Sequence, residues 1–265
     1  MKKTITIDGL NNDTEYFNFV RPIRGNKIGS VKSTSSRTLS PLKVTFSDNN
    51  LSFGTNFYNN SIYNNGTLQY SLDKNTWIPI SSITTSLGQN YCYLKGDLLA
   101  CRYLFSNIST LKSVEGRISF LLGNYNSTDT SQMFNSTFFG CSSLISIPSG
   151  LFDSIDTSSS TNTTSMFQGT FNSCSSLTTI PTGLFDSIDT SSSTNTSYMF
   201  SNTFYNCSSL IESPLFSQNY TTLGNGNKLW NRYGNGSTNY IGNGCFIGCT
   251  IMSDLSDAKT NSWAV

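Results

Sequence analysis

Three cysteines, Cys141, Cys174 and Cys207, stand 33 residues apart, and two carboxylate pairs, Asp153/Asp156 and Asp186/Asp189, recur at the same interval. Spaced thiols can bind a metal, bridge as disulfides or pack as small apolar groups, and paired carboxylates can divide acid and base roles or hold a cation. The chain contains no histidine. That removes Ser-His-Asp and Cys-His nucleophiles, the commonest general acid–base and the most frequent zinc ligand. Glycosidase chemistry needs two carboxylates in different environments, whereas a pair repeated at a fixed interval is expected to meet one environment twice. Calcium stays open for these pairs, because Ser, Thr and Asn oxygens flank them, although neither EF-hand nor nonapeptide spacing is present. Turn and capping chemistry at DSIDTS is the alternative. Cys245 and Cys249 form a single C-x3-C with no second pair, a weak metal signal. No phosphate-binding or nucleophile-elbow motif occurs. No catalytic, cofactor-binding or metal residue is therefore assigned, and a non-enzyme without cofactor is expected.

The elements that carry these residues are repeats. MFNSTFFGCSSLISIPSGLFDSIDTSSSTNTTS from Met133 returns from Met166 as MFQGTFNSCSSLTTIPTGLFDSIDTSSSTNTSY, and again from Met199 as MFSNTFYNCSSLIESPLF. Phe138, Phe171 and Phe204 keep the register, as do Leu144, Leu177 and Leu210, and Pro148, Pro181 and Pro214. An earlier copy places Phe105, Ile108, Leu111 and Val114 at the corresponding positions. Ile108 at the cysteine position says that the site wants an apolar group, so a buried, reduced ladder of cysteines is expected, with disulfides or a metal as the alternatives. A serine there would leave its hydroxyl unpaired. Each unit reads as a short helical start (MFxxTFxxC), an extended piece, a second apolar element and a polar DTSSSTNT tract. One unit cannot bury its own apolar stripe, whereas stacked units can, which predicts a mainly β solenoid with short helices and a ladder of Phe, Cys and Leu side chains. A Gly/Asn-rich insertion at 217–244 interrupts the period before CFIGCTIM resumes it, with a C-terminal cap beyond. Its NGNKLWNRYGNG run reads as a flexible loop, and Trp230 and Tyr233 are either exposed contact residues or a cap folded on the end.

TFxxCSSLTTIPxGLF closely resembles the leucine-rich repeats of the bacterial surface-protein (BspA) type, over roughly 101–255. The resemblance implies a curved or rod-like leucine-rich solenoid used for adhesion or as a spacer. The long DTSSSTNT tract and the insertion depart from that pattern.

Residues 43–100 alternate apolar and polar residues between turn signals and read as a small β module, with QYSLDKNTW a hairpin that turns at Asp73, Lys74 and Asn75 and buries Tyr70 and Trp77. In residues 4–39, Leu10, Thr14 and Tyr16 hold the Leu-x-x-x-Thr-x-Tyr spacing, with Val20, Gly29 and Ser30 following. This resembles the last strands of a fibronectin type III domain. Residues 1–42 are accordingly expected to be a fibronectin-like fragment or an assembly arm, with 101–265 as the solenoid.

Charged residues make up 12% of the chain and sixteen bases face fifteen acids, which argues against nucleic-acid binding. Eight of the bases lie within residues 1–45, and only acids occur from 118 to 227. No apolar run is long enough to span a membrane, and MKKTITIDGLNNDTEY lacks the apolar core of a signal peptide. The expectation is a structural or adhesive virion component of a bacteriophage (fibre, appendage or decoration protein). It would act through protein–protein or host-surface contacts, as a homo-oligomer or part of a larger assembly, with a surface receptor or glycan among its partners. A bacterial cell-surface adhesin is the second reading, and a carbohydrate-binding or carbohydrate-active solenoid the third.

Overall fold

The computed structural model describes residues 15–20, 23–24, 27–28, 32–37, 41–54, 66–80, 84–123 and 125–265. The chain divides into two compact units, Met1–Ser40 and Pro41–Val265. In the first, β1 (Glu15–Val20), β2 (Ile23–Arg24), β3 (Lys27–Ile28) and β4 (Lys32–Arg37) make two antiparallel pairs. β1 lies along β4 with Glu15 opposite Arg37 and Val20 opposite Lys32, and β2 pairs β3. Tyr16 and Val20 fall on β1, while Leu10, Thr14, Gly29 and Ser30 lie outside the described residues.

The second unit begins with β5 (Leu42–Phe46), β6 (Asn50–Ser52), β7 (Leu68–Ser71), β8 (Ile78–Pro79), β9 (Thr84–Ser86), β10 (Tyr91–Gly96) and β11 (Leu111–Glu115). Five of these form one antiparallel sheet in the order β11-β5-β10-β7-β8. Period-two alternation sets its faces: Leu42, Val44 and Phe46 on β5 and Cys92 and Leu94 on β10 are fully buried, with polar neighbours between them. The β7–β8 hairpin turns where expected. Asp73 accepts the backbone N–H groups of Asn75 and Thr76 and the Ser71 hydroxyl, Lys74 sits at φ 67°, and those hydrogen bonds hold the Asp73 carboxyl down to about 2. Trp77 and Tyr70 are half-buried rather than buried. β8 is a two-residue edge strand with both residues exposed, so Trp77 has the Lys95 ammonium 4.3 Å from its ring instead of a covering layer.

β11 belongs by sequence to the first repeat copy, yet it pairs β5 on one side and bridges to Ser146 of the next copy on the other. The sheet and the repeats consequently share one buried cluster running from Leu42 to Ala264.

Within the repeats the expected helical start is absent. Instead, MFxxTFxxC is a chain of overlapping turns. Met133, Asn135, Thr137, Phe139 and Cys141 each donate an N–H to the carbonyl three residues back, while Phe134, Ser136, Phe138 and Gly140 donate to Met166, Gln168, Thr170 and Asn172 of the next copy. Gln132, Ser136 and Gly140 have positive φ, as do Ser165, Gly169 and Ser173, then Tyr198, Asn202 and Asn206, and finally Tyr240, Gly244 and Gly248. A left-handed residue every fourth position places φ > 0 at the third residue of every second turn, as in type II turns, and no α-helix survives that. Where Asn occupies such a position, glycine follows in the neighbouring copy: a Cβ on Gly140 would sit 2.6 Å from Asn107 Oδ1.

The insertion is ordered structure rather than a loop. β12 (Leu215–Tyr220) pairs β13 (Gly226–Lys228), and α1 (Leu229–Tyr233) follows directly. After the CFIGC turns, α2 (Leu255–Thr260) leads to a terminal segment in which Trp263 and Val265 accept the N–H groups of Phe246 and Gly244. Among the described residues the fold is mainly β with few short helices and no closed barrel, and no helix is long and apolar enough to cross a membrane.

Candidate functional site

Cys141, Cys174, Cys207 and Cys249 are buried free thiols, and each Sγ donates to a carbonyl of the preceding copy: Phe105, Phe138, Phe171 and Phe204 at 3.0–3.2 Å. Burial raises every one of their pKa values, Cys249 to about 12, so they are neutral and unreactive thiols. A serine at the same place would find the same carbonyl, so its hydroxyl would not be orphaned. Cys92, Cys101 and Cys245 are likewise free and buried.

Beside the thiols, Phe138, Phe171 and Phe204 stack with centroids 5.3–5.5 Å apart and are extended by Phe105 and Phe246. Leu144, Leu177 and Leu210 are fully buried. One column has no counterpart in the sequence reading: Thr137, Thr170 and Thr203. Each Thr170-type hydroxyl lies 2.7–2.9 Å from two backbone carbonyls, one in its own copy and one in the copy before. The invariance of Thr before Phe in TFFGC, TFNSC and TFYNC was the available signal.

The carboxylate pairs act as turn caps. Asp156 accepts the N–H and hydroxyl of Ser158, and Asp189 accepts the N–H of Ser191; these hydrogen bonds lower both carboxyl pKa values. Asp153 and Asp186 diverge: the first lies 3.5 Å from the Arg117 guanidinium, the second receives the Ser217 N–H. No group of three or more metal-ligating side chains occurs among the described residues.

Trp230 is not available for contact. It is 5% exposed, at the start of α1 and within the core cluster. The Tyr233 ring packs on Phe200 and Phe216, and burial of its hydroxyl pushes the phenol up to about 12. Arg232 secures the arrangement by donating to the carbonyls of Phe185 and Ile188 while lying over Phe216, Tyr220 and Tyr233. Lys228 adds ion pairs to Glu212 (2.9 Å) and Asp254 (2.6 Å). The insertion is therefore a cap on the last repeat, because Tyr233 packs on Phe200 and Arg232 bonds the carbonyls of Phe185 and Ile188.

A solvent-facing groove of about 370 Å³ with convergent polar groups runs across the turn segments of successive copies. Asn135 Nδ2 donates to Gln168 Oε1 at 3.1 Å, one copy on, and Ser136 Oγ donates to Asn135 Oδ1 at 2.9 Å. Asn172 receives the Ser173 hydroxyl. Gly169, at φ +63°, lies close against Ser136, whose Oγ would be 3.2 Å from a Cβ placed there. At one end the Arg102 guanidinium lies 4.9 Å from the Tyr103 ring, and the lining contains no carboxylate. None of these residues was singled out by sequence, because the groove is made of positions 33 apart that no local window joins.

Comparison with known proteins returns no match: no protein-family model, no curated protein and no solved structure matches the chain.

Proposed function

We propose that the chain is a non-enzymatic structural or adhesive protein that works by contact along the flank of a leucine-rich-repeat solenoid. It would be carried by a bacteriophage virion as part of a fibre, appendage or decoration, with a bacterial cell surface as the second setting. The observation that carries this reading is the row of stacked rings Phe105, Phe138, Phe171, Phe204 and Phe246, flanked by backbone hydrogen bonds from each copy to the next. Copies joined in this way supply regular rows of surface. Asp156 and Asp189, held low by hydrogen bonds, support the same reading, since a catalytic proton donor needs its pKa raised. Fractionation of producer cells tests it. Co-banding of the chain with particles through a density gradient, with antibody labelling of their appendages, is the expected result, and labelling of the cell envelope selects the second setting. Recovery only as free protein that adheres to no cell overturns both.

A further inference from the structure

We infer that the groove across the turn segments binds an extended, uncharged glycan chain laid along the repeat direction, an inference that rests on the adhesive reading and names its ligand class. Three features carry it.

The first is chemistry. Asn135, Gln168, Asn172 and Ser136 line the groove, and among the described residues no protein partner engages the amide nitrogens of Gln168 and Asn172, whose oxygens are already taken. Amide donors with their acceptors engaged are matched to sugar hydroxyls. A single cation, Arg102, is too little for a polyphosphate, and the polar lining offers no apolar slots for the anchors of a peptide helix.

The second is aromatic surface in register. The column of left-handed residues that begins with Gln132 and Ser165 continues as Tyr198 and Tyr240, which are 38% and 53% exposed and stack at 5.1 Å with a 5° interplanar angle. These two exposed rings, Tyr198 in the repeats and Tyr240 in the insertion, offer an apolar face with a polar tip, the surface on which the C–H face of a pyranose stacks.

The third is spacing. Neighbouring copies advance by the 5.3–5.6 Å that separates stacked phenylalanine rings, which is the advance of one pyranose unit in an extended β-linked glycan. One copy therefore meets one sugar, and a groove that spans several copies recognises a run of them.

The test is calorimetric titration of the full chain with β-1,4-linked glucose and N-acetylglucosamine oligomers of increasing length, together with their acidic counterparts. Affinity for a neutral series is expected to rise with length until the oligomer fills the groove. Tyr240→Ala and Gln168→Ala are each expected to weaken it by about tenfold or more. Ser136→Asn is the fold-preserving block: Asn already occupies the same left-handed column at 202, where Gly244 follows in the neighbouring copy as Gly169 follows Ser136, and the longer side chain would fill the groove over Gly169. It should abolish binding with little change in melting temperature. Absence of binding to either neutral series, length-independent binding, or binding untouched by all three variants overturns the inference, as does preference for the acidic oligomers. Cell adhesion measured on the same variants separates the two proposals. Adhesion that survives Ser136→Asn, without oligosaccharide binding, sinks the groove and leaves the adhesive reading standing; oligosaccharide binding without adhesion does the reverse.

Discussion

At residue scale the buried thiols decide most. Cys174 is fully buried, and its Sγ lies 3.2 Å from the Phe138 carbonyl, which also accepts the Cys141 N–H. Cys174→Ala should therefore cost about 1–2 kcal/mol, chiefly through lost packing. Cys174→Ser, which keeps a donor to the same carbonyl, should cost no more than the alanine variant by urea denaturation. The thiols also set an alkaline limit. Burial raises their pKa values in the folded chain, those of Cys92 and Cys249 to about 12, while the unfolded chain ionises its cysteines near pH 8.5. A raised folded pKa means stability that is complete below the unfolded value and lost as pH rises through the window above it. The melting temperature should fall progressively above about pH 8.5, more gently in Cys174→Ala, and iodoacetamide at pH 8 should label none of the seven cysteines before unfolding.

At element scale, turns replace helices wherever a left-handed residue recurs every fourth position, and the insertion replaces a loop wherever its side chains reach back to the repeats. Trp230 illustrates the second. A side chain 5% exposed within the shared core cluster supplies packing. Trp230→Ala should destabilise the protein by about 3–5 kcal/mol, read as a lower urea midpoint, and contact by this residue with a partner would instead leave the midpoint in place. Much of the repeat start was readable: Phe, Cys and Leu at fixed register mark the inward columns. The Gly, Ser and Asn at every fourth position were equally visible in FFGC, FNSC and FYNC, but apolar residues three and four apart suit a helix and a ribbon of turns alike. Only the second set breaks the tie.

At the scale of the whole molecule, the second unit holds a continuous buried cluster from Leu42 to Ala264. In the first unit the described strands form two-stranded sheets, whose outer edges are templates for another chain. Removal of residues 1–40 should leave 41–265 folded, with its thermal transition in place, while lowering the molecular mass in light scattering from an assembly to a monomer. Loss of the transition would show that the first unit stabilises the second.

The sequence by itself determined the repeat register, the identity of the inward columns and the hairpin at Asp73, because each rests on spacing along the chain: a 33-residue recurrence, a period of two, an Asp followed by turn residues. Tertiary structure alone decided the rest. β11 keeps its place in the repeat pattern through Ser146 and also joins β5, since its other edge found a partner 65 or more residues earlier. The insertion became a cap because Arg232 meets carbonyls at Phe185 and Ile188 and Tyr233 meets Phe200. The groove exists because Asn135 and Gln168, a full unit apart, stand side by side. Each of these depends on groups that become neighbours only when one copy lies against the next, and a local reading of the chain contains no term for that contact.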